Sequence, residues 1–147
     1  MKSENKFSGL SDFNKKIVSK FVDMSLDISK YMLLKENRFH PFAICCNSLK
    51  DIKIIGINDN LSLNTKGAMD SLKSELKQLF IDGKYSAIMI AYDISFKNAL
   101  DDKFRNAICL DIKIDHVFAN RFIYPYSIQN NLVKIETPEA DMLQDIF

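Results

Sequence analysis

This sequence has no tryptophan, and it holds few of the residues that break regular structure. Only four of its 147 residues are Gly and three are Pro, which argues against low-complexity disorder and against a Gly-rich phosphate-binding loop. Cysteine is also scarce, with three residues and no Cys-x-x-Cys spacing. The sequence therefore lacks the usual zinc and redox motifs. We expect free thiols, buried in a protein of the reducing cytoplasm.

Long apolar runs and a strong net charge are missing as well. No apolar stretch approaches the ~20 residues that a membrane-spanning helix needs. A formal net charge of +1 is unlike the basic excess of nucleic-acid-binding proteins. We therefore expect neither a membrane nor a nucleic acid as partner. Residues 136–147 carry four carboxylates and no basic residue, which predicts a solvated acidic tail or a docking segment.

The composition that remains is that of a globular protein, with 47% apolar and 11% aromatic residues. A chain of this length can bury a self-sufficient core. We predict a flexible arm over 1–10, a single domain over 11–135 and the acidic tail over 136–147.

Two segments show helical periodicity. Ser11 is a suitable N-cap for a long helix that ends near Asn37, before Pro41. Its predicted buried stripe contains Phe13, Ile17, Val18, Phe21, Met24, Ile28, Tyr31 and Met32. A second helix is predicted from Thr65 to Asp82, with Gly83 after its C-terminus. Its stripe contains Met69, Leu72, Leu76, Leu79 and Phe80.

The other apolar segments read as strands. Segments 42–46 and 52–57 predict a hairpin, and 86–96 is apolar on both faces, as in a central strand. Segment 107–115 alternates, which places Cys109, Asp111, Lys113 and Asp115 on one face, predicted to be solvated. Segment 118–126 returns as its partner, and 132–135 is a candidate sixth strand.

This order of elements predicts an α+β fold with an antiparallel sheet of five to six strands. A long N-terminal helix and a second helix are expected to pack together on one face of the sheet. The order of one helix, two strands, one helix and three strands is similar to that of profilin-like and roadblock-type domains.

Several patches in a fixed order carry a second resemblance. They are Phe39-His40-Pro41-Phe42-Ala43, Leu72–Leu79 followed by Ala87–Asp93, Asn106-Ala107-Ile108 leading into Leu110–Ile114, Tyr124-Pro125-Tyr126 and Ile146-Phe147. In these patches the chain resembles a widespread family of small bacterial proteins without an assigned activity. The resemblance implies a fold and a cytoplasmic setting, and it carries over no catalytic residue. The chain departs from the family pattern at Leu110-Asp111, where a Glu is expected closer to the strand centre.

No catalytic residue, metal site or cofactor site is predicted. His40 and His116 have no metal-ligand partner at a recognised spacing. Asp111 and Asp115 stand about 13 Å apart along a strand, too far for a paired-carboxylate mechanism. Asp93 is more unusual, because a carboxylate in a central strand must be paired, at an edge or functional. His40, Tyr92 and Asp93 therefore form a candidate pocket on the sheet.

Aromatic residues recur along one strand and form a second candidate surface. They are Phe118, Phe122, Tyr124 and Tyr126. Their spacing places them on one face. Core packing explains this pattern, and an apolar pocket or a dimer surface is the alternative.

Three hypotheses about function follow. The first is a non-catalytic protein-interaction module, homodimeric through a sheet edge or the aromatic face. The second is a neutralising partner, such as an immunity protein that binds a toxin, which the acidic tail motivates. The third is a small-molecule binder or small enzyme with its site near Asp93 and His40. Scarce glycines, unpartnered histidines and strand-bound cysteines favour binding over catalysis.

Overall fold

The computed structural model describes residues 11–37, 40–47, 51–56, 65–97, 102–114 and 118–142. The predicted arm 1–10, Asp115, His116 and residues 143–147 lie outside these ranges. The helices are α1 (Asp12–Glu36) and α2 (Thr65–Ile81). The strands are β1 (Phe42–Cys46), β2 (Ile52–Gly56), β3 (Ala87–Lys97), β4 (Phe104–Ile114), β5 (Phe118–Gln129), β6 (Leu132–Ile135) and β7 (Glu139–Met142).

The strands form one antiparallel sheet in the order β2-β1-β3-β4-β5-β6, and β7 also pairs with β5. This confirms the predicted α+β class, with a long N-terminal helix and a second helix packed on an antiparallel sheet. The 132–135 segment is indeed a strand. Part of the acidic segment, Glu139–Met142, joins the sheet as β7.

The last strands of the sheet depend on two local features. Asn130 and Asn131 both have positive φ, 52° and 63°, which is the conformation of the two-residue turn that joins twisted antiparallel strands. β5 pairs on its outer side with β7 at one end and with β6 at the other. Pro125 lies in the gap between them, where the Glu136 amide donates to the Pro125 carbonyl at 2.8 Å. An interior strand can therefore contain a residue that has no N–H.

The two helices pack on opposite faces of the sheet, which corrects the expectation that they share one face. Under α1 lie Phe42, Ile44, Met89, Leu110 and Phe122, with their neighbours on alternate positions. Under α2 lie Ala43, Cys45, Ile55, Ile88 and Ile90. We call these the α1 face and the α2 face. Ala87 to Ala91 are buried on both faces, so β3 is the central strand that its composition predicts.

The bounds of α1 agree with the sequence, but its buried stripe is rotated. Ser11 caps the helix by accepting from the Asn14 amide at 3.1 Å, and Asn37 ends it in the left-handed conformation. The buried residues are Val18, Phe21, Ser25, Ser29 and Leu33. Tyr31, predicted to be buried, is 66% exposed. Two serines stand at the centre of the stripe, where their small side chains let α1 approach β3, and Ser25 lies against Met89.

The predictions for α2 and for the adjacent cysteines are confirmed. Leu72 and Leu76 are buried, and Met69, Leu79 and Phe80 pack beside them on the α2 face. Gly83 follows the helix with a φ of 72°, a conformation that glycine adopts without strain. Cys45 and Cys46 point to opposite faces, so they do not share a site.

Candidate functional site

A buried carboxylate, Asp111, is the centre of the main polar cluster on the α2 face. Its side chain accepts from Arg121 twice, Nε to Oδ1 at 2.7 Å and Nη2 to Oδ2 at 3.1 Å. The Tyr92 hydroxyl donates to Oδ2 at 3.0 Å, and the Cys109 thiol lies 3.8 Å from Oδ1. Asp111 is only 1% exposed. Both carboxylate oxygens therefore have partners, as a buried charge requires.

The strand register assembles this cluster. Asp111 stands opposite Arg121 across β4 and β5, and Tyr92 stands opposite Cys109 across β3 and β4. The predicted solvated face of β4 is therefore wrong at Asp111 and Cys109, which are both buried. The third residue of that face, Lys113, is half-buried, and its ammonium lies 4.9 Å from the centre of the Phe80 ring of α2. Alternation correctly groups these side chains, but it does not show that α2 packs on their face.

The protonation states in this cluster do not suit nucleophilic chemistry. Burial raises the pKa of the Cys109 thiol to about 12, so the thiol is protonated at neutral pH and is a poor nucleophile. Burial also raises the pKa of the Tyr92 hydroxyl, which stays a hydrogen-bond donor. The hydrogen bonds to Asp111 raise the pKa of Arg121. The arrangement is a closed ion pair that fixes β3, β4 and β5 relative to one another.

The pocket predicted from His40, Tyr92 and Asp93 is divided between the two faces. Tyr92 packs with the α2-face core, whereas Asp93 accepts a hydrogen bond at 2.9 Å from Tyr126, a residue of the α1-face core. His40 is half-buried just before β1. Adjacent residues of a strand point to opposite faces, so Tyr92 and Asp93 do not line one cavity.

The aromatic residues of β5 belong to the core. Phe122, Tyr124 and Tyr126 are buried on the α1 face, where little of their surface is left for a partner. Phe118 begins β5, but its side chain lies outside the described part of the structure. Burial raises the pKa of Tyr124 to about 12, so its hydroxyl is also protonated at neutral pH.

Asp93 gives a pH-dependent prediction. Burial raises the pKa of its carboxyl above 3.8, and the hydrogen bond from Tyr126 lowers it by less. A raised pKa means that folding favours the protonated form, so stability is lost as pH rises through that pKa. We expect Asp93→Asn to stabilise the protein at neutral pH by less than about 1 kcal/mol, since the carboxylate is half-exposed.

The stabilisation by Asp93→Asn should vanish below pH 3.8, the ordinary pKa of this carboxyl. Thermal unfolding of both proteins across the acid range measures this. Tyr126→Phe is the matched control, because it removes the hydrogen bond to the ionised form and should cost more at neutral than at acid pH. A difference between Asp93→Asn and the native chain that is constant with pH would contradict the assignment.

A different feature is the outer edge of β2, whose backbone groups pair with no other strand among the described residues. The Asn47 amide donates to the Asp51 carbonyl at 3.1 Å, which makes these two residues a hydrogen-bonded pair. Such pairs alternate along antiparallel strands, and the register pairs Lys53 and Ile55 with β1 in the same way. The N–H and C=O groups of Ile52, Ile54 and Gly56 therefore point outward. In the part of the chain that the structure describes, no strand pairs with this edge.

The surface beside this edge is apolar. Ile54 lies in the middle of β2 and is 49% exposed. Next to it, on the α1 face, a groove of about 140 Å³ runs between α1 and β2. Its lining residues are Phe13, Lys16, Ile17, Lys20, Phe21, Cys46 and Ile52. The opposite edge of the sheet is interrupted, because β6 and β7 are four residues each and Pro138 lies between them.

Metal-binding clusters and membrane-spanning helices are absent from the ranges that the structure describes. Among the described residues, no group of three or more His, Cys, Asp or Glu side chains is placed to hold a metal ion. Neither described helix has an apolar stretch long enough to cross a membrane. Comparison of the chain with protein-family models, with curated proteins and with solved structures finds no match.

The sequence pattern places Asp111 on a solvated face and does not single out Arg121 or the edge of β2. One signal for Asp111 was present, because it stands between Leu110 and Ile112 in an apolar strand, as Asp93 stands between Tyr92 and Ile94. The argument that a carboxylate in such a strand needs a partner applies equally to both. Arg121 gave no comparable signal, since its pairing with Asp111 depends on the register of β4 and β5.

Proposed function

We propose that this chain is a non-catalytic, cytoplasmic protein-interaction module that forms a homodimer through the outer edge of β2. The observation that carries the proposal is the edge itself, where Ile52, Ile54 and Gly56 direct their backbone N–H and C=O groups outward. An open strand edge is a template for a strand of another chain. A half-exposed Ile54 at its centre adds apolar surface that a second strand can cover.

The polar groups of the fold support binding rather than catalysis. Asp111 is held by Arg121 and Tyr92, so its carboxylate is not available as a general base. Burial raises the pKa of Cys45 and Cys109 to about 12, which leaves both thiols protonated. Three free buried cysteines suit the reducing cytoplasm.

Of the two edges of the sheet, the edge of β2 is the better suited to pair with a strand of a second copy. Natural sheets protect their edges by keeping edge strands short and by interrupting them with proline. The β6–β7 edge has both features. β2 is a continuous five-residue strand with a single charged side chain, Lys53. An edge without such protection is the one that a partner strand would extend.

The proposal predicts that Ile54→Lys abolishes dimer formation. A charged side chain at the centre of an edge strand would have to be desolvated when a second strand pairs with it. Size-exclusion chromatography with light scattering, over micromolar to submillimolar concentrations, measures the mass. We expect a concentration-dependent dimer for the native chain and a monomer for the variant, a loss of affinity of at least tenfold.

Ile81→Lys is the matched control. Ile81 is 67% exposed at the end of α2, and α2 packs on the face of the sheet opposite to the Ile54 side chain, so the same substitution there should leave dimer formation unchanged. Circular dichroism of both variants checks that the fold is retained. A native chain that stays monomeric over the whole range would overturn the proposal.

A further inference from the structure

We infer that the β2 strands of two copies pair antiparallel about a twofold axis at Ile54, an inference that rests on the proposed homodimer. In this register Ile54 faces Ile54 of the second copy, Ile52 faces Gly56, and Lys53 faces Ile55. The Ile52–Gly56 and Lys53–Ile55 contacts each occur twice and the Ile54 pair lies on the axis, as a twofold interface requires. Three features of the structure favour this register over the neighbouring ones.

The first reason is the direction of the backbone groups. Outward N–H and C=O groups belong to residues 52, 54 and 56. Antiparallel strands form hydrogen bonds only when the outward residues of one strand face the outward residues of the other. With the axis at Ile54, the outward backbone groups of residues 52, 54 and 56 on each copy all form hydrogen bonds, because these residues are spaced symmetrically about the axis. An axis that falls between two residues would place outward groups opposite inward ones and form none of these bonds.

The second reason is charge. An axis at Lys53 also meets the backbone condition, but it places the two Lys53 side chains directly opposite each other, which is unfavourable. An axis at Ile54 places each Lys53 opposite Ile55, whose side chain is turned into the α2-face core. The Lys53 stem can then lie along the sheet while its ammonium stays in water.

The third reason is the shape of the α1 face. Ile52, Ile54 and Gly56 share this face, since each is paired with a residue of β1 that points into it. Gly56 has no side chain, and a Cβ added to it would meet no atom within 4 Å. The register centred on Ile54 puts the Ile52 side chain of one copy over the open space at Gly56 of the other. The axis itself brings the two half-exposed Ile54 side chains together.

Disulfide cross-linking of single-cysteine variants tests the register. Hydrogen-bonded partners in antiparallel strands have Cα atoms about 5.5 Å apart, within the range of a disulfide. Ile54→Cys should therefore form a covalent dimer under mild oxidation. Lys53→Cys should not, because in this register the two Lys53 residues are diagonal neighbours about 7–8 Å apart. The three native cysteines are buried, and Ile81→Cys measures the rate of random cross-linking.

Gly56→Val is an independent test that does not depend on disulfide chemistry. Within one copy a Cβ at Gly56 would meet no atom within 4 Å, so we expect the dilute variant to fold with a melting temperature close to that of the native chain. In this register the new side chain would take the space that the Ile52 side chain of the second copy fills, and we expect the dissociation constant to rise at least tenfold.

These experiments test the proposed homodimer and the proposed register separately. A native chain that never dimerises overturns the proposed function, and the register falls with it. A native dimer in which Lys53→Cys cross-links and Ile54→Cys does not, or in which Gly56→Val has no effect on affinity, overturns the register alone. A dimer that cross-links at Ile54 at well above the Ile81→Cys rate, and that Gly56→Val weakens, supports it.

Discussion

Replacing Arg121 with Ala should lower the free energy of unfolding by about 3 kcal/mol, the lower end of the cost of removing one partner of a buried ion pair, because Asp111 is buried and Arg121 is 38% exposed. The reason is the position of Asp111, which is 1% exposed. Without the guanidinium, its carboxylate would keep one strong donor, the Tyr92 hydroxyl. Urea denaturation followed by circular dichroism measures the change, since the slope of the transition should stay constant if the folded state is unaltered.

Removing the charge of the other partner, Asp111, should lower the free energy of unfolding by less. In Asp111→Asn the remaining charge is on Arg121, whose side chain is 38% exposed and can turn its guanidinium toward water. We expect a loss of about 1–2 kcal/mol from the weakened hydrogen bonds. The double variant Arg121→Ala/Asp111→Asn should lose less than the sum of the single changes, with a coupling of about 1–3 kcal/mol. Strictly additive single effects would show that the pair does not interact as its geometry indicates.

Arg105→Ala is the control for the loss of an arginine as such. Its ion pair with Glu136 is long, 4.0 Å, and both side chains are more than 40% exposed. An exposed pair of this kind is worth less than about 1 kcal/mol. The contrast between these two arginines on neighbouring strands therefore reports the effect of burying the carboxylate partner. The side chain removed is the same and is similarly exposed, 38% for Arg121 and 42% for Arg105.

The local elements of the fold could be predicted because their signals are local. Ser11 caps α1, Asn37 ends it, and Gly83 follows α2, each through its own backbone or side-chain geometry. The two asparagines of the β5–β6 turn, Asn130 and Asn131, act through the same kind of geometry. Apolar alternation also located the strands. These features depend on residues a few positions apart, and the sequence places such residues together by itself.

The arrangement of these elements depends on contacts that are distant in the chain. β3 is apolar on both faces, which is compatible with a helix on either side, so the sequence offers no reason against the wrong expectation that α1 and α2 share one face. The stripe of α1 was misplaced because Ser25 and Ser29 are polar by composition and are buried for their small size. The order of strands, which leaves β2 at an edge, has no local signal at all.

The candidate site also depends on contacts between residues that are distant in the chain, with one exception. The Asp111–Arg121 pair and the β2 edge both follow from register and strand order, which only the fold supplies. The separation of Tyr92 from Asp93 follows from the sequence alone, since neighbouring residues of a strand face opposite sides. The alternation that groups the side chains of β4 also places Tyr92 and Asp93 on opposite faces of β3.

Phe122→Ala is the second substitution with a large expected effect, a loss of about 3–5 kcal/mol in the free energy of unfolding. Phe122 is almost fully buried on the α1 face, with Leu110 opposite it on β4. Removing its ring deletes apolar contacts and leaves a cavity that the packed strands can fill only in part. Thermal or urea unfolding of the variant gives the change directly.

This result also decides between the two interpretations of the β5 aromatic residues. If Phe122 packs in the core, the variant loses stability whether it is dilute or concentrated, and the mass at each concentration changes only through unfolding. If its ring instead formed a dimer surface, the substitution would weaken dimer formation, and a dilute sample of the variant would keep the melting temperature of the native chain. Phe104→Ala, at a position 75% exposed on β4, should change stability by less than about 0.5 kcal/mol. Equal losses at Phe122 and Phe104 would contradict the packing of α1 on this face.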